Sequence, residues 1–166
     1  MNDIQRYYDN TEVEKPRKNV KYFIEKIKCN PEKAIELGCG AGNDTVYLIK
    51  NGWNVLAIDR EDVSKRIEKR LNNEELKKFR FQQQNFETIQ LEESNFLVAN
   101  YCIPFCNKNN FKEFWQKIID SILPNRIFCR KLFGRKWWME ENKARDDFFI
   151  KRRSKGTFQW FWNNTI

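Results

Sequence analysis

Histidine is absent from the 166 residues. Without it there can be no Ser-His-Asp or Cys-His nucleophile system and no His-ligated zinc. Any general base must be Asp, Glu, Lys, Tyr, Cys or a water. Glycine and proline are scarce, at 6 and 4 residues, which excludes a collagenous or low-complexity chain. No apolar run reaches the length needed to span a bilayer. The segment Met1 to Tyr8 has neither the basic start nor the apolar stretch of a signal peptide. The five cysteines are an odd number, read as reduced thiols, and a cytoplasmic location is expected.

What is present describes a globular chain. Hydrophobic residues make up 40% and charged residues 33%, and the length suits one domain with a real core. The net charge of +8 is unevenly spread. Residues 126–166 hold 11 Lys+Arg against 4 Asp+Glu, leaving 20 against 19 for residues 1–125. Four of the six tryptophans (Trp137, Trp138, Trp160 and Trp162) also lie in that tail. The composition shift divides the chain into a body, 1–134, and a basic aromatic tail, 135–166.

Along the body, Asn2 to Lys15 is polar and reads as an extended lead-in. Val20, Phe23, Ile24 and Ile27 recur at helical spacing after Pro16. Ala34, Ile35 and Leu37 form a short buried strand that runs into Gly38-Cys39-Gly40-Ala41-Gly42. Asn43 or Asp44 then caps a helix, which stops at Asn51-Gly52. Asn54 to Ile58 is a second buried strand, ending at Asp59. A charged helix is expected over about Asp62 to Asn72, a weak strand over Phe79 to Gln83 and a strong one over Asn95 to Tyr101. An amphipathic helix over Phe111 to Leu123 and a strand over Ile127 to Phe133 follow. Alternating strands and helices imply a parallel, doubly wound α/β sheet with helices on both faces, since parallel strands need crossovers.

The glycine turn joins a strand to a helix. Its glycines permit a sharp turn and close approach of a ligand to the backbone, and the helix end offers unpaired N–H groups and a positive dipole end. Asp59 ends the next strand, where a carboxylate can accept both ribose hydroxyls of a nucleoside. A tight strand-to-helix connection and a solvated strand-end acid are the plainer alternatives. The dinucleotide fingerprint needs Gly-x-Gly-x-x-Gly, whereas here the spacing is Gly-x-Gly-x-Gly with an acid two residues ahead.

Glu36, Gly38, Gly40 and Gly42 at that spacing resemble the first motif of class I S-adenosylmethionine-dependent methyltransferases. With Tyr7-Tyr8, Pro16-Arg17, Asn43-Asp44-Thr45 and Ile103-Pro104-Phe105-Cys106, residues 4–134 resemble small bacterial methyltransferases of the tellurite-resistance-protein type. The resemblance implies a Rossmann-like methyltransferase fold and S-adenosylmethionine as cofactor. It implies cofactor contacts at Glu36, Gly38, Cys39, Gly40, Gly42, Asn43, Asp59, Arg60, Asn85, Phe86, Asn100 and Tyr101. Glu36 would face the methionine ammonium, Asn85 and Phe86 would flank the adenine, and Asn100 and Tyr101 would face the departing methyl group. Phe86 and Tyr101 could equally be core. Tyr7, Tyr8 and Arg17 are candidates for an N-terminal lid. No metal site is expected, and Cys102 and Cys106 read as buried structural thiols. No residue is assigned as catalytic.

After Leu132-Phe133-Gly134 the family pattern stops, so the sheet is expected to be incomplete at its C-terminal edge and the domain truncated. Trp and Met have single codons, so Lys136-Trp137-Trp138-Met139-Glu140 read one base later must encode Asn or Ser, then Gly, Gly and Trp. The permitted codons beyond allow an amphipathic helix like the one the family carries there. A one-base frameshift near Gly134 to Lys136 is therefore one reading of the tail. The other is a genuine RNA- or phosphate-binding tail, in which Lys151-Arg152-Arg153-Ser154-Lys155 supplies charge and Phe158, Trp160 and Trp162 supply stacking. Three functions follow: a methyltransferase acting on a small molecule, an RNA-binding methyltransferase using the tail, or an inactive remnant that keeps only the cofactor loop.

Overall fold

The computed structural model describes residues 3–26, 30–131, 147–152 and 158–161. They divide into two compact units, residues 1–85 and 86–166.

In the first unit, three parallel strands are β1 (Lys33–Leu37), β2 (Asn54–Asp59) and β3 (Phe79–Gln83). β1 pairs with β2 from Lys33 opposite Asn54 to Leu37 opposite Ile58. β2 pairs with β3 from Val55 opposite Phe79 to Asp59 opposite Gln83. β1 and β2 are buried at nearly every position after their first residue. This is why β2 reads as an unbroken apolar run from Val55 to Ile58, and β1 as apolar but for the buried Glu36, rather than as alternating patterns. The chain crosses from β1 to β2 through α3 (Asn43–Lys50). Helix α2 (Lys18–Lys26) buries Val20 and Phe23, and the Phe23 ring lies 5.8 Å from that of the buried Trp53.

The structure departs from the sequence reading at three places in this unit. The polar lead-in is a helix, α1 (Asp3–Thr11), whose buried residue is Tyr8. Its apolar residues are too few to announce a periodic face, and its partners lie far along the chain. The helix expected over Asp62 to Asn72 is shorter, α4 (Ser64–Glu68), and a second helix, α5 (Asn73–Leu76), follows it. Asn72 accepts from the Glu74 and Glu75 N–H groups while the Glu75 side chain accepts from the Asn72 N–H. That reciprocal cap starts a new helix where the old one was expected to end. Finally, α3 is capped by Gly42, in the left-handed region, with no side-chain cap. Asn43 and Asp44 spend their side chains elsewhere.

In the second unit, β4 (Ser94–Asn100) pairs in parallel with β5 (Ile122–Lys131). The amphipathic helix α6 (Phe111–Ser121) connects them, burying Phe114 and Ile118. A 3-10 turn over Ile103–Phe105 holds Pro104, a position where the missing N–H costs nothing. Cys102 and Cys106 on either side are buried thiols in no disulfide.

The edge of β5, expected to be left bare, is paired. β6 (Asp147–Arg152) runs antiparallel to it, from Ile127 opposite Lys151 to Lys131 opposite Asp147, and β7 (Phe158–Phe161) runs antiparallel to β6. Phe148-Phe149-Ile150 and Phe158 to Phe161 are rich in strand-favouring residues, and β5 offers unpaired backbone groups that such a strand can satisfy. The shift site proposed at Gly134 to Lys136, and Trp137, Trp138 and Trp162, lie outside the described residues.

Candidate functional site

The glycine turn is wound through three left-handed residues, with φ of 63° at Gly38, 54° at Gly40 and 77° at Gly42. Non-glycine residues rarely adopt that region. The Gly38 and Cys39 N–H groups both donate to the Ile58 carbonyl, at 2.8 and 3.2 Å, and the Gly42 N–H closes the turn on the Cys39 carbonyl at 2.9 Å. A Cβ on Gly40 would stand 3.6 Å from the Tyr8 ring, and one on Gly42 would stand 2.3 Å from Ile67 Cγ1. Gly42 thus serves close packing of the turn on α4, while Gly40 faces the ring of α1.

Asp59 is the centre of the site. It is 7% exposed. Its Oδ2 accepts from the Gly40 N–H at 2.8 Å. Its Oδ1 accepts from the Tyr8 hydroxyl and from the Glu61 N–H, each at 3.1 Å. The carboxylate at the end of β2 therefore orients the glycine turn at the end of β1. Burial, then the adjacent Asp59 charge, hold the Tyr8 phenol well above its ordinary range, so it remains a donor at any physiological pH.

Glu36, two positions before the turn, is 4% exposed and accepts from the Thr45 hydroxyl. Burial pushes its carboxyl well above the usual range, Asp44 adds to this, and Asp59 adds less; the Thr45 hydrogen bond pulls the other way. Asp44, also buried, accepts from the Arg17 backbone N–H at 2.6 Å. Glu36 and Asp44 thus meet at the first turn of α3, with the Asp59 charge felt at Glu36, an arrangement that favours a ligand cation. A further acceptor follows β3. Gln84, whose N–H donates to the Asp59 carbonyl at 2.9 Å, keeps its Oε1 buried with no hydrogen-bond partner.

The remaining sequence-predicted residues fall into two groups. In the first unit, Cys39 is buried in a cluster with Tyr8, Val46, Ala57, Val63 and Ile67. The Asn43 side chain donates to the Thr11 carbonyl at 2.6 Å and accepts from Arg70 at 2.9 Å, while Arg70 also donates to the Ala41 carbonyl at 2.9 Å. Asn43 therefore ties the glycine turn to the N-terminal segment. Arg60 turns its guanidinium to Glu61, 3.4 Å away, and Asn85 is exposed. In the second unit, Phe86 stacks on Phe114 with centroids 4.8 Å apart. Asn100 ends β4, and Tyr101 just beyond it takes φ of 61°, the one left-handed non-glycine position among the described residues. Backbone strain of this kind concentrates at functional sites.

The sequence reading did not single out Thr45, Asp44, Arg70 and Gln84 for these roles. For Thr45 and Asp44 the signal was available: each is a polar residue in the first turn of a helix that opens on a glycine loop. Arg70 and Gln84 carry no local signature, because their partners are 29 and 25 residues away, at Ala41 and Asp59.

Solved structures of similar shape are methyltransferases. A TehB-like S-adenosylmethionine-dependent methyltransferase from Corynebacterium glutamicum has a TM-score of 0.64 at 15% identity, over 82% of this chain and 73% of that one. The glycopeptide N-methyltransferase MtfA, complexed with sinefungin, has a TM-score of 0.62 at 15% identity, over 75% of this chain and 53% of that one. At such identity the likeness is one of fold: the chain has the Rossmann-like methyltransferase fold. The chain spans 53% to 64% of the length of the first structures matched. Comparison with curated proteins returned no match. The family model for the tellurite resistance protein TehB matches residues 2–125, a stretch that holds the glycine turn, Asp59 and both units through β4 and α6. On that match the chain belongs to the tellurite resistance protein TehB family.

Proposed function

We propose that this protein is an S-adenosylmethionine-dependent methyltransferase that acts on a small-molecule acceptor in the cytoplasm. The observation that carries the reading is the linked pair of motifs: a left-handed glycine turn held by its Gly40 N–H to the strand-end carboxylate of Asp59. Solved structures of this fold include MtfA with S-adenosylhomocysteine and the plantazolicin methyltransferase BpumL with S-adenosylhomocysteine.

The residues suit that cofactor. Asp59 offers acceptors to ribose hydroxyls, and the buried Glu36, Asp44 and Asp59 carboxylates offer a place for an ammonium. The unpartnered Gln84 Oε1 suits an amino-group donor such as that of adenine. Three glycines let the backbone meet the ligand without side chains between them. When bound, S-adenosylmethionine supplies an electrophilic methyl group on a positively charged sulfur. The protein's part is then to bind, orient and exclude water, which a chain without histidine can do. Phe86, as an adenine contact, and Asn100 and Tyr101, as methyl-group contacts, are proposed on the family resemblance. The enzyme domain is proposed to span residues 1–134; the family match ends at 125, and β6 and β7 of the basic segment 135–166 extend the sheet from β5.

Titration calorimetry with S-adenosylmethionine and NAD tests the reading directly. Saturable binding of the first alone is expected, and binding of NAD alone would reject it. Two variants sharpen it. Gly40→Ala should cost only ~1–2 kcal/mol of stability, the strain of a Cβ in the left-handed region, while strongly reducing cofactor affinity because its methyl stands in the ligand's approach. Asp59→Ala should weaken binding by ~1.5–3 kcal/mol, the range for hydrogen bonds to a charged group. An analogue without ribose hydroxyls should lose far less, and equal losses for both ligands would remove Asp59 from the ribose.

A further inference from the structure

A carboxylate offers about four acceptor sites, two on each oxygen. On Asp59 three of them are taken: one on Oδ2 by the Gly40 N–H, and both on Oδ1 by the Tyr8 hydroxyl and the Glu61 N–H. A ribose diol gripped by this carboxylate needs one acceptor on each oxygen. The two backbone donors belong to the turns that shape the site. The Tyr8 hydroxyl alone comes from an element outside them, 51 residues away in sequence. Its ring also lies over Gly40, at ordinary contact distance from the position a Cβ would occupy there. Tyr8 therefore covers both the glycine a ligand must approach and the acceptor a ribose must reach.

We propose that Tyr8 holds the Asp59 acceptor that a ribose would use, and that α1 is a built-in competitor which must leave its dock before a nucleoside ligand can bind. The inference rests on the nucleoside reading of the site given above. The way α1 is attached suits a reversible plug. Tyr8 is its buried side chain, with Ile4 partly buried beside the same cluster. The other attachments are polar. Arg66 reaches Asp9 at 2.7 Å, Glu12 at 2.8 Å and Gln5 at 3.0 Å. Lys69 reaches Glu12 at 2.6 Å, and Asn43 reaches the Thr11 carbonyl. These pairs form one network through Arg66 and Glu12, and salt screens its exposed members, Lys69 and Asp9. Several of them also strap the end of α1 and the turn after it, leaving a tether on which the helix can swing. A nine-residue helix is marginal by itself in water, so α1 released from its dock should unravel.

The test compares the full chain with its Tyr8→Phe variant, which keeps the ring and its packing and removes the hydroxyl. S-adenosylhomocysteine should bind the variant on the order of tenfold more tightly, since its ribose no longer displaces a hydrogen bond to a charged group. An analogue without ribose hydroxyls should bind both proteins alike. Equal or weaker binding of S-adenosylhomocysteine by the variant overturns the proposal and leaves the nucleoside reading standing. Failure of both proteins to bind at all overturns the nucleoside reading, and the plug with it. A second measurement needs no variant. On saturation of the wild-type chain with S-adenosylhomocysteine, amide hydrogen exchange in α1 should accelerate. Slower exchange there would mean that α1 closes over the ligand, and the plug would be rejected.

Discussion

Gly42→Ala is expected to lower the free energy of unfolding by about 2–5 kcal/mol. The sum has two parts: roughly 1–2 for a Cβ in the left-handed region and roughly 1–3 for overpacking. The new methyl would stand 2.3 Å from Ile67 Cγ1 and 2.7 Å from Cδ1, at a residue with φ of 77°. Ile67 is fully buried against Tyr8, Cys39, Val46, Ala57 and Val63, so it has no open side to move toward. Such a loss is a large share of the ~5–15 kcal/mol that holds a domain together. Urea denaturation measures it, and a double-mutant cycle identifies its cause. Ile67→Ala removes both clashing carbons, so it should cost less in the Gly42→Ala background than in the wild type. Additive losses would place the strain in the backbone alone.

Glu36→Gln should move stability and binding in opposite directions. Burial first, then the Asp44 charge, raise the Glu36 carboxyl well above its ordinary range in the folded protein. A folded-state value above the unfolded one means that the native state holds the proton more tightly. The stability this contributes is complete below the unfolded value of about 4.3 and is lost as pH rises through the raised folded value. Glutamine keeps an acceptor for the Thr45 hydroxyl and cannot ionise. The variant should be more stable than the wild type above that window, where the wild type must hold a buried charge, and its stability should vary less with pH. If Glu36 receives the ligand ammonium, the same change should weaken S-adenosylmethionine binding by about 1.5–3 kcal/mol. Wild-type affinity should also rise with pH through the same window, as the carboxylate becomes available. Thermal unfolding and calorimetry across the pH range check both halves, and a variant whose stability relative to the wild type does not rise with pH would contradict the assignment.

The residues themselves determined the alternation of strand and helix, the glycine turn and the acid at the end of β2. Each of these is a local property. Ala34-Ile35 and Val55 to Ile58 are apolar in unbroken runs because parallel strands are covered on both faces. Gly38, Gly40 and Gly42 announce a left-handed turn because other residues rarely adopt it. Asp59 was legible as a candidate from its place after a buried strand.

Only the tertiary structure decided what those groups touch. α1 was read as an extended lead-in because its one buried side chain, Tyr8, finds its partner 51 residues away. Asn43 looked like a cap or a ligand contact, yet its side chain is committed to Thr11 and Arg70, at separations of 32 and 27 residues. The break between α4 and α5 turned on a reciprocal Asn72–Glu75 cap, which competes with helix continuation and which the Val63, Ile67 and Leu71 spacing alone could not arbitrate. The pairing of β6 on β5 was decided the same way, by unpaired backbone groups whose partners sit far along the chain. Periodicity and turn chemistry report the few residues around a position. Hydrogen-bond partners chosen across a folded interior depend on which elements meet there, and that is settled only when the chain is packed.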